Sequence, residues 1–367
     1  MTEPQPNPAP LLPGKSTSGW RFWGQVALWT LLALTGLGVG VVSKFLYQSN
    51  VPAHADGPAY LYIRPGEKLS GVFRSLRQPG VLERPTEFIV VASLRGLGRK
   101  QNALHPGRYT LRPGLGNLDL LRLLESGRQD TIAFTLTPFH YLPQLPRQAG
   151  RQLYTDTARL HKLLADSTYL ATHFGLDTAT IRTLFIPGQL RLFWPTPAEA
   201  FLDSVAARHR RFWSATRRRQ ADSLKMTPVQ VAVLASIVQR ETAQPTDKPL
   251  IAGVYLNRLR KGQPLQADPT LLWPLHGLGT RKRVLNVDKK VDSPYNTYTH
   301  KGLPPGPITT PYPQALDAVL RPARHKYVFF CARPDGSGFS DFAETFADHK
   351  RNARRYWQHL DSLKIKK

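Results

Sequence analysis

Thr227-Pro-Val-Gln-Val-Ala-Val-Leu-Ala-Ser-Ile-Val-Gln-Arg-Glu-Thr242 is the stretch on which the reading of this chain turns. Thr227 before Pro228 predicts an N-cap followed by proline at the first helical position, and Pro245 predicts a helix end soon after Thr242. Val229, Val231, Ala232, Val233, Leu234, Ala235, Ile237 and Val238 leave almost no polar face. Such a helix is expected inside a domain rather than on its surface. Glu241 shares a side with Ile237 and Val238. Partial desolvation and the negative end of the helix dipole both act to raise its carboxyl pKa, the state a general acid requires. The plainer alternative is a solvent-exposed glutamate at a helix end.

Four more strings follow in order: Gly253-Val-Tyr-Leu-Asn-Arg-Leu259, Leu265-Gln-Ala-Asp-Pro-Thr270, Ser293-Pro-Tyr-Asn-Thr-Tyr298 and Gly302-Leu-Pro-Pro-Gly-Pro-Ile308. A second helix is predicted over 249–261, closed by Gly262, with Leu250, Val254 and Asn257 on one stripe. A polar Asn257 there is either a buried, hydrogen-bonded amide or a ligand contact. Gln266, Asp268 and Thr270 fall in an irregular stretch of the kind that carries function, although Asp268 before Pro269 also suits a turn. Tyr295, Asn296, Thr297 and Tyr298 offer aromatic faces and polar tips suited to sugar rings, or a packed loop held by Pro304 and Pro305.

Taken together, the five strings closely resemble the YceG-like endolytic murein transglycosylases, membrane-anchored enzymes that cut peptidoglycan glycan strands, and looser similarity runs from about residue 60 to 357. The resemblance places the catalytic glutamate on Glu241 and makes Asn257, Gln266, Asp268, Thr270, Tyr295, Asn296 and Tyr298 candidate substrate-binding residues. It implies cleavage between N-acetylmuramic acid and N-acetylglucosamine within strands, giving 1,6-anhydro ends. One glutamate can be acid and then base in such a reaction, so no second, water-activating carboxylate is required. No cofactor or metal is implied. The eleven histidines show no His-x-x-x-His or Cys-His spacing, and no Gly-x-Ser-x-Gly turn is present. Two departures from the family pattern stand out. Gly188-Gln189-Leu190 replaces a polar-threonine-tyrosine run, which puts any contact from that tyrosine in doubt, and Gln239 replaces an acidic residue two positions before Glu241. Residues two apart on a helix face away from each other, so the second change spares the acid.

Of 367 residues, 50 are Lys or Arg against 25 Asp or Glu, an excess of +25 that implies an anionic partner, nucleic acid or a membrane or cell-wall surface. The single cysteine, Cys331, excludes an intramolecular disulfide. Residues 22–43 carry no charge and are long enough to cross a bilayer, bracketed by Arg21 and Lys44 with Trp20, Trp23 and Tyr47 nearby. A permanent anchor is favoured over a signal peptide, whose apolar core is shorter. Flanking charge is nearly balanced; the resemblance implies a cytoplasmic amino terminus in the inner (plasma) membrane and a periplasmic or extracytoplasmic catalytic domain. A basic ectodomain beside a membrane argues against nucleic acid. Peptidoglycan, the plasma membrane and peptidoglycan synthases are the candidate partners.

The expected fold class is α+β: a disordered tail over 1–21, a transmembrane helix over 22–43, a juxtamembrane linker over 44–58, a small LysM-like module over 59–128 and a YceG-like catalytic domain over 129–367 with its core at 227–350. Gly14-Lys15-Ser16 lacks the strand and the earlier glycine of a phosphate-binding loop. Two repeats of strand, turn and helix (60–77 and 107–127) suggest the small module, whose name comes from the resemblance and whose implied role is to hold glycan, a plain spacer being the alternative. Further on, the pattern predicts a strand over 132–137, one helix over 155–172 and one long basic helix over 197–225. Its arginines around Phe212 and Trp213 suit either phosphate binding or a solvated face with two aromatics turned inward. A different class also remains open, a non-catalytic wall-binding scaffold that organises synthesis enzymes. Release of fragments from glycan strands separates the two.

Overall fold

The computed structural model describes residues 18–53, 57–99, 104–272 and 284–362; the expected tail lies almost wholly outside them, as do Gly14-Lys15-Ser16. The chain separates between Asp130 and Thr131 into two compact units.

The first unit begins with helix α1 (Ser18–Tyr47), exposed from Trp20 to Lys44 and long and apolar enough to cross a membrane. Strand β1 (Ala59–Ile63), helices α2 (Leu69–Leu76) and α3 (Pro85–Leu94), strand β2 (Gly107–Leu111) and helix α4 (Asn117–Ser126) follow. β1 and β2 pair antiparallel, Leu61 opposite Tyr109, and α4 ends on Gly127 in the left-handed region that glycine tolerates. α3 has no counterpart in the sequence reading. Residues 49–51, expected within a linker, are built into this unit. Asn50 is fully buried: its Nδ2 donates to Asn117 Oδ1 (2.6 Å) and Arg84 O (2.9 Å), while its Oδ1 accepts from Arg84 N (2.6 Å). Asn117 Nδ2 in turn donates to Phe45 O at 2.8 Å, tying the last turn of α1 to α4. A buried amide with every group paired fixes one arrangement of the backbone around it.

The second unit starts with strand β3 (Thr131–Leu136), then helices α5 (Gln144–Gln152), α6 (Thr157–Ala165) and α7 (Ser167–Phe174), a 3-10 turn (Ile181–Leu184) and strand β4 (Gly188–Phe193), antiparallel to β3. The predicted 155–172 helix is two helices, because Asp166 caps α7 by accepting from Tyr169 N at 2.9 Å. Likewise the 197–225 helix divides into α8 (Ala198–Phe212) and α9 (Ala215–Ser223), with Ser214 accepting from Arg217 N. In both cases a short polar side chain satisfies an orphan amide better than continued helix does. Trp213 turns inward and is 2% exposed. Its neighbouring arginines hold the fold: Arg208 donates to the carbonyls of Ile186, Pro187 and Gln189, and Arg217 pairs with Asp317 through Nε (2.9 Å) and Nη2 (3.1 Å).

Helix α10 (Pro228–Glu241) has the expected Thr227 cap, reinforced by Gln230 Oε1 accepting from Thr227 N at 2.8 Å. Every residue from Val231 to Val238 is buried. Helix α11 (Asp247–Arg260) starts two residues before the sequence pattern suggests, and Asp247 in its first turn is buried and accepts from Ser340 N at 2.7 Å. The short helix α12 (Asp268–Leu272), helix α13 (Pro313–Leu320), the antiparallel strands β5 (Phe329–Ala332) and β6 (Ser340–Ala343) and the long helix α14 (Phe346–Ser362) complete the unit. Apolar side chains of α10, α11 and α13 form one core; those of β3, β4 and α5 to α8 form a second. Thr310 joins them, its N donating to Phe139 O (3.0 Å) and its Oγ1 accepting from Phe139 N (2.9 Å).

Candidate active site

Glu241 closes α10 where Thr242 leaves the helix in extended conformation, and the chain returns as α11 so that Tyr255 faces it. Tyr255 Oη donates to Glu241 Oε1 at 2.5 Å. Burial of Glu241 pushes its carboxyl up to about 7; the Tyr255 hydrogen bond pulls down, Asp268 pushes up, and Arg258 pulls down. The Tyr255 hydroxyl is raised well above its ordinary value by burial, then by the carboxylate beside it, so it acts as a donor throughout the physiological range.

Both residues open into a cavity of about 290 Å³ that also receives Arg258, Leu265, Gln266, Asp268, Tyr298, Phe329, Phe330, Phe346 and His349. Arg258, one turn beyond Tyr255, fixes the walls: Nε donates to Val328 O (2.6 Å), and Nη1 to Leu265 O (2.9 Å), Pro264 O (3.2 Å) and Gln266 Oε1 (3.2 Å). Gln266 sits at φ +54, a conformation a glutamine adopts at a cost. Thr297 pins it there, its carbonyl accepting from Gln266 N and its Oγ1 from Ala267 N, both at 2.9 Å. Asp268, next along, accepts from Tyr298 Oη at 2.5 Å. Burial and the Asp268 bond raise the Tyr298 hydroxyl. Among the described residues no three His, Cys, Asp or Glu side chains come together as a metal-ligand set.

The arrangement is thus a carboxyl poised to hold or give a proton near neutral pH, a phenol directed at one of its oxygens, a second carboxylate engaged by another phenol, and an aromatic wall. The sequence model of the YceG-like family matches residues 61–355 of this chain. The chain belongs to the YceG-like family. An endolytic murein transglycosylase of Bacillus subtilis (strain 168) is 35% identical over 332 residues, spanning 85% of this chain and 89% of its own length. One from Streptococcus pneumoniae (serotype 2, strain D39) is 24% identical over 366 residues, 90% of this chain and 64% of the relative, so the chain spans a little under two thirds of that protein. The fold is shared with a crystal structure of a yceG-like protein from Listeria monocytogenes, with a TM-score of 0.51 and 23% identity over 80% of this chain and 99% of that one.

Of the YceG-like motif residues singled out in the sequence, Glu241, Gln266, Asp268 and Tyr298 meet in the cavity; the other four do not line it. Asn257 Nδ2 donates to His325 O (2.8 Å) and Tyr327 O (3.0 Å), its hydrogen-bonding alternative. Thr270 is fully buried and bonds Ala267 O (2.7 Å) and Thr297 Oγ1 (2.9 Å). Tyr295 is mostly buried, its hydroxyl accepting from Arg182 Nη2 at 3.4 Å. Asn296 gives Nδ2 to Lys289 O (3.0 Å) and Val291 O (2.8 Å) and takes Tyr298 N on Oδ1 (2.9 Å), so it positions the Tyr298 backbone. Gln189 and Leu190 belong to β4, away from the cavity, and Gln239 clamps a neighbouring segment, accepting from Tyr312 N at 2.5 Å and donating to Thr310 O at 3.4 Å. Tyr255, Arg258 and the β5–α14 residues were missed. Tyr255 and Arg258 stood in the second motif, where an arginine three residues after a tyrosine on an apolar helix was the available signal. Nothing local marks Phe329, Phe330, Phe346 or His349, which reach the cavity through tertiary folding.

Proposed function

We propose that this chain is a membrane-anchored endolytic peptidoglycan transglycosylase, with Glu241 as its acid and base. The observation that carries the reading is a glutamate held by burial at a pKa of about 7 inside a cavity, in a chain of the YceG-like family. At neutral pH a substantial fraction of such a carboxyl is protonated while its conjugate base retains real basicity, the condition for one group to serve both steps. Glu241 gives its proton to the oxygen linking N-acetylmuramic acid to N-acetylglucosamine, and the carbon–oxygen bond breaks. The resulting carboxylate then takes the proton of the muramic C6 hydroxyl as that oxygen bonds the anomeric carbon. The released pieces are a strand with a free N-acetylglucosamine hydroxyl and one ending in 1,6-anhydro-N-acetylmuramic acid. Water is neither consumed nor formed.

Tyr255 supports this cycle by donating to Oε1, which stabilises the carboxylate between the two steps and leaves Oε2 for the substrate. Asp268, engaged by Tyr298, supplies negative charge that helps keep Glu241 protonated. In this reading α1 is a single-pass anchor with its amino terminus in the cytoplasm, and the module over 59–128 is LysM-like and holds glycan. Because α1 is fastened to α4 through Phe45 and Asn117, removal of residues 1–43 leaves that junction intact and is expected to release an active protein from membranes. Cleavage is tested by incubating the purified full-length protein in detergent with long uncrosslinked glycan strands: internal fragments are expected, and their absence contradicts the proposal.

A further inference from the structure

Seven side chains with hydrogen-bonding groups line the Glu241 cavity: Glu241, Tyr255, Arg258, Gln266, Asp268, Tyr298 and His349. Six of them hydrogen-bond within the protein. His349 does not: its backbone amide donates to Thr345 O, but among the described residues its ring bonds to nothing, and Nδ1 is sealed from solvent without a partner. Because Nδ1 is sealed, no ligand can reach it, and Nε2, likewise without a hydrogen-bond partner in the fold, is the ring nitrogen left to bond one in the cavity. The ring is otherwise well held. Phe329 stacks on it with centroids 5.2 Å apart and planes 16° apart, and Phe346 lies at 6.2 Å. Burial, and then the charge of Arg258, keep its pKa below the ordinary histidine range, so the imidazole is neutral at physiological pH. A lone pair is cheaper to leave unpaired in an apolar setting than an N–H, which places the single ring proton on Nε2.

We propose that His349 is a substrate-binding residue whose Nε2–H donates to the acetamido carbonyl of an N-acetylated sugar bound beside Glu241. This rests on the transglycosylase reading above and adds a determinant of substrate class. The acetamido group is the glycan substituent that joins a strong acceptor to a methyl, and His349 offers a donor framed by the rings of Phe329 and Phe346 in a wall that also includes Phe330. A free amine at the same carbon, charged at neutral pH, would bring donors and a positive charge near Arg258 instead. The site therefore selects N-acetylated over de-N-acetylated strands, and α14 belongs to the active site rather than to a peripheral support.

The test compares His349→Leu and His349→Gln with the unaltered full-length protein in detergent, on strands that are fully N-acetylated and on strands chemically de-N-acetylated. For His349→Leu, KM on acetylated strands should rise about tenfold with kcat little changed, and KM on de-N-acetylated strands should stay put. His349→Gln, which keeps a neutral donor, should retain most of the preference. An unchanged KM, or equal loss on both substrates, overturns the proposal. Binding of an N-acetylglucosamine tetramer and of its glucosamine counterpart to Glu241→Gln protein gives a readout independent of turnover. A preference for the acetylated tetramer that His349→Gln retains and His349→Leu abolishes supports the proposal, and no preference contradicts it. If His349→Leu melts early, the comparison of His349→Gln with His349→Phe decides on the same criteria. Failure of the unaltered protein to cut any strand is a failure of the transglycosylase reading alone, because the tetramer measurement still reports on His349.

Discussion

Glu241 and Asn296 are both polar side chains set in largely apolar surroundings, and the two regions they represent treat polarity differently. Asn296 is fully buried, donates to two carbonyls and accepts one amide. Thr270 and Asn257 are likewise satisfied within the fold, Thr270 by Ala267 O and Thr297 Oγ1 and Asn257 by the carbonyls of His325 and Tyr327. In the cavity the two carboxylates are instead paired with phenols: Glu241 with Tyr255, Asp268 with Tyr298. There burial is only partly compensated, and the outcome is a carboxyl whose pKa stands at about 7. Full satisfaction makes a scaffold, whereas incomplete satisfaction leaves free energy for chemistry.

The sharpest way to break this contrast is to neutralise Glu241. Glu241→Gln keeps the volume and cannot deliver a proton, so cleavage should fall by about 10²- to 10⁴-fold or more in a folded protein, as measured by fragment release. Asn296→Ala should do the reverse. It leaves Lys289 O, Val291 O and Tyr298 N without their partner, so it should cost on the order of 3 kcal/mol in denaturant unfolding while the remaining folded protein still cuts.

Glu241→Gln should also separate from Asn296→Ala in stability. The folded-state pKa of Glu241 lies above its ordinary value, so the folded protein binds more protons than the unfolded one between about pH 4.5 and 7. Stability contributed by the protonated form is therefore present at low pH and lost as pH rises through 7. Glu241→Gln should accordingly unfold at higher denaturant concentration than the unaltered protein at pH 8, by at most about 3 kcal/mol, and the advantage should vanish near pH 4. A lower stability of Glu241→Gln at pH 8 would show that the carboxylate is well satisfied and the contrast false.

Smaller effects refine the division of labour in the cavity. Asp268→Asn keeps the shape and removes a charge that raises the Glu241 pKa, so turnover should drop about tenfold without disappearing, and the alkaline limb of the pH profile should move down. Tyr255→Phe removes a bond that favours the carboxylate, so that limb should move up instead. Movement of both limbs in the same direction would contradict the opposite roles assigned to the two groups.

Much of the scaffold was legible because it is written in local signals. Thr227-Pro228, Gly127 and the alternation in 107–111 mark α10, the end of α4 and β2 through caps and periodicity alone. Asp166 and Ser214 interrupt two helices that apolar spacing joins, and their capping was visible only as a short polar side chain amid helical pattern. Helix α3 carries apolar residues on every side, which hides its period, although Pro85 marked its start. At the site, Glu241 stood out because a carboxylate ended an apolar run. Asn257 and Asn296 belonged to the same motifs, and sequence could not say whether an amide among apolar neighbours bonds backbone or ligand. His349 and the phenyl rings arrive from β5 and α14, and no pattern near them refers to a residue on α10.

The new chain end made by the protein bears most directly on the central claim that Glu241 alone serves as acid and then base. Long uncrosslinked strands digested in isotopically labelled water and analysed by mass should yield internal fragments ending in 1,6-anhydro sugar, lighter than hydrolytic products by one water and free of label, with none formed by Glu241→Gln. Reducing ends that carry label would show that a water molecule is activated in the cavity, and the mechanism assigned to Glu241 would be wrong even if the residue proved essential.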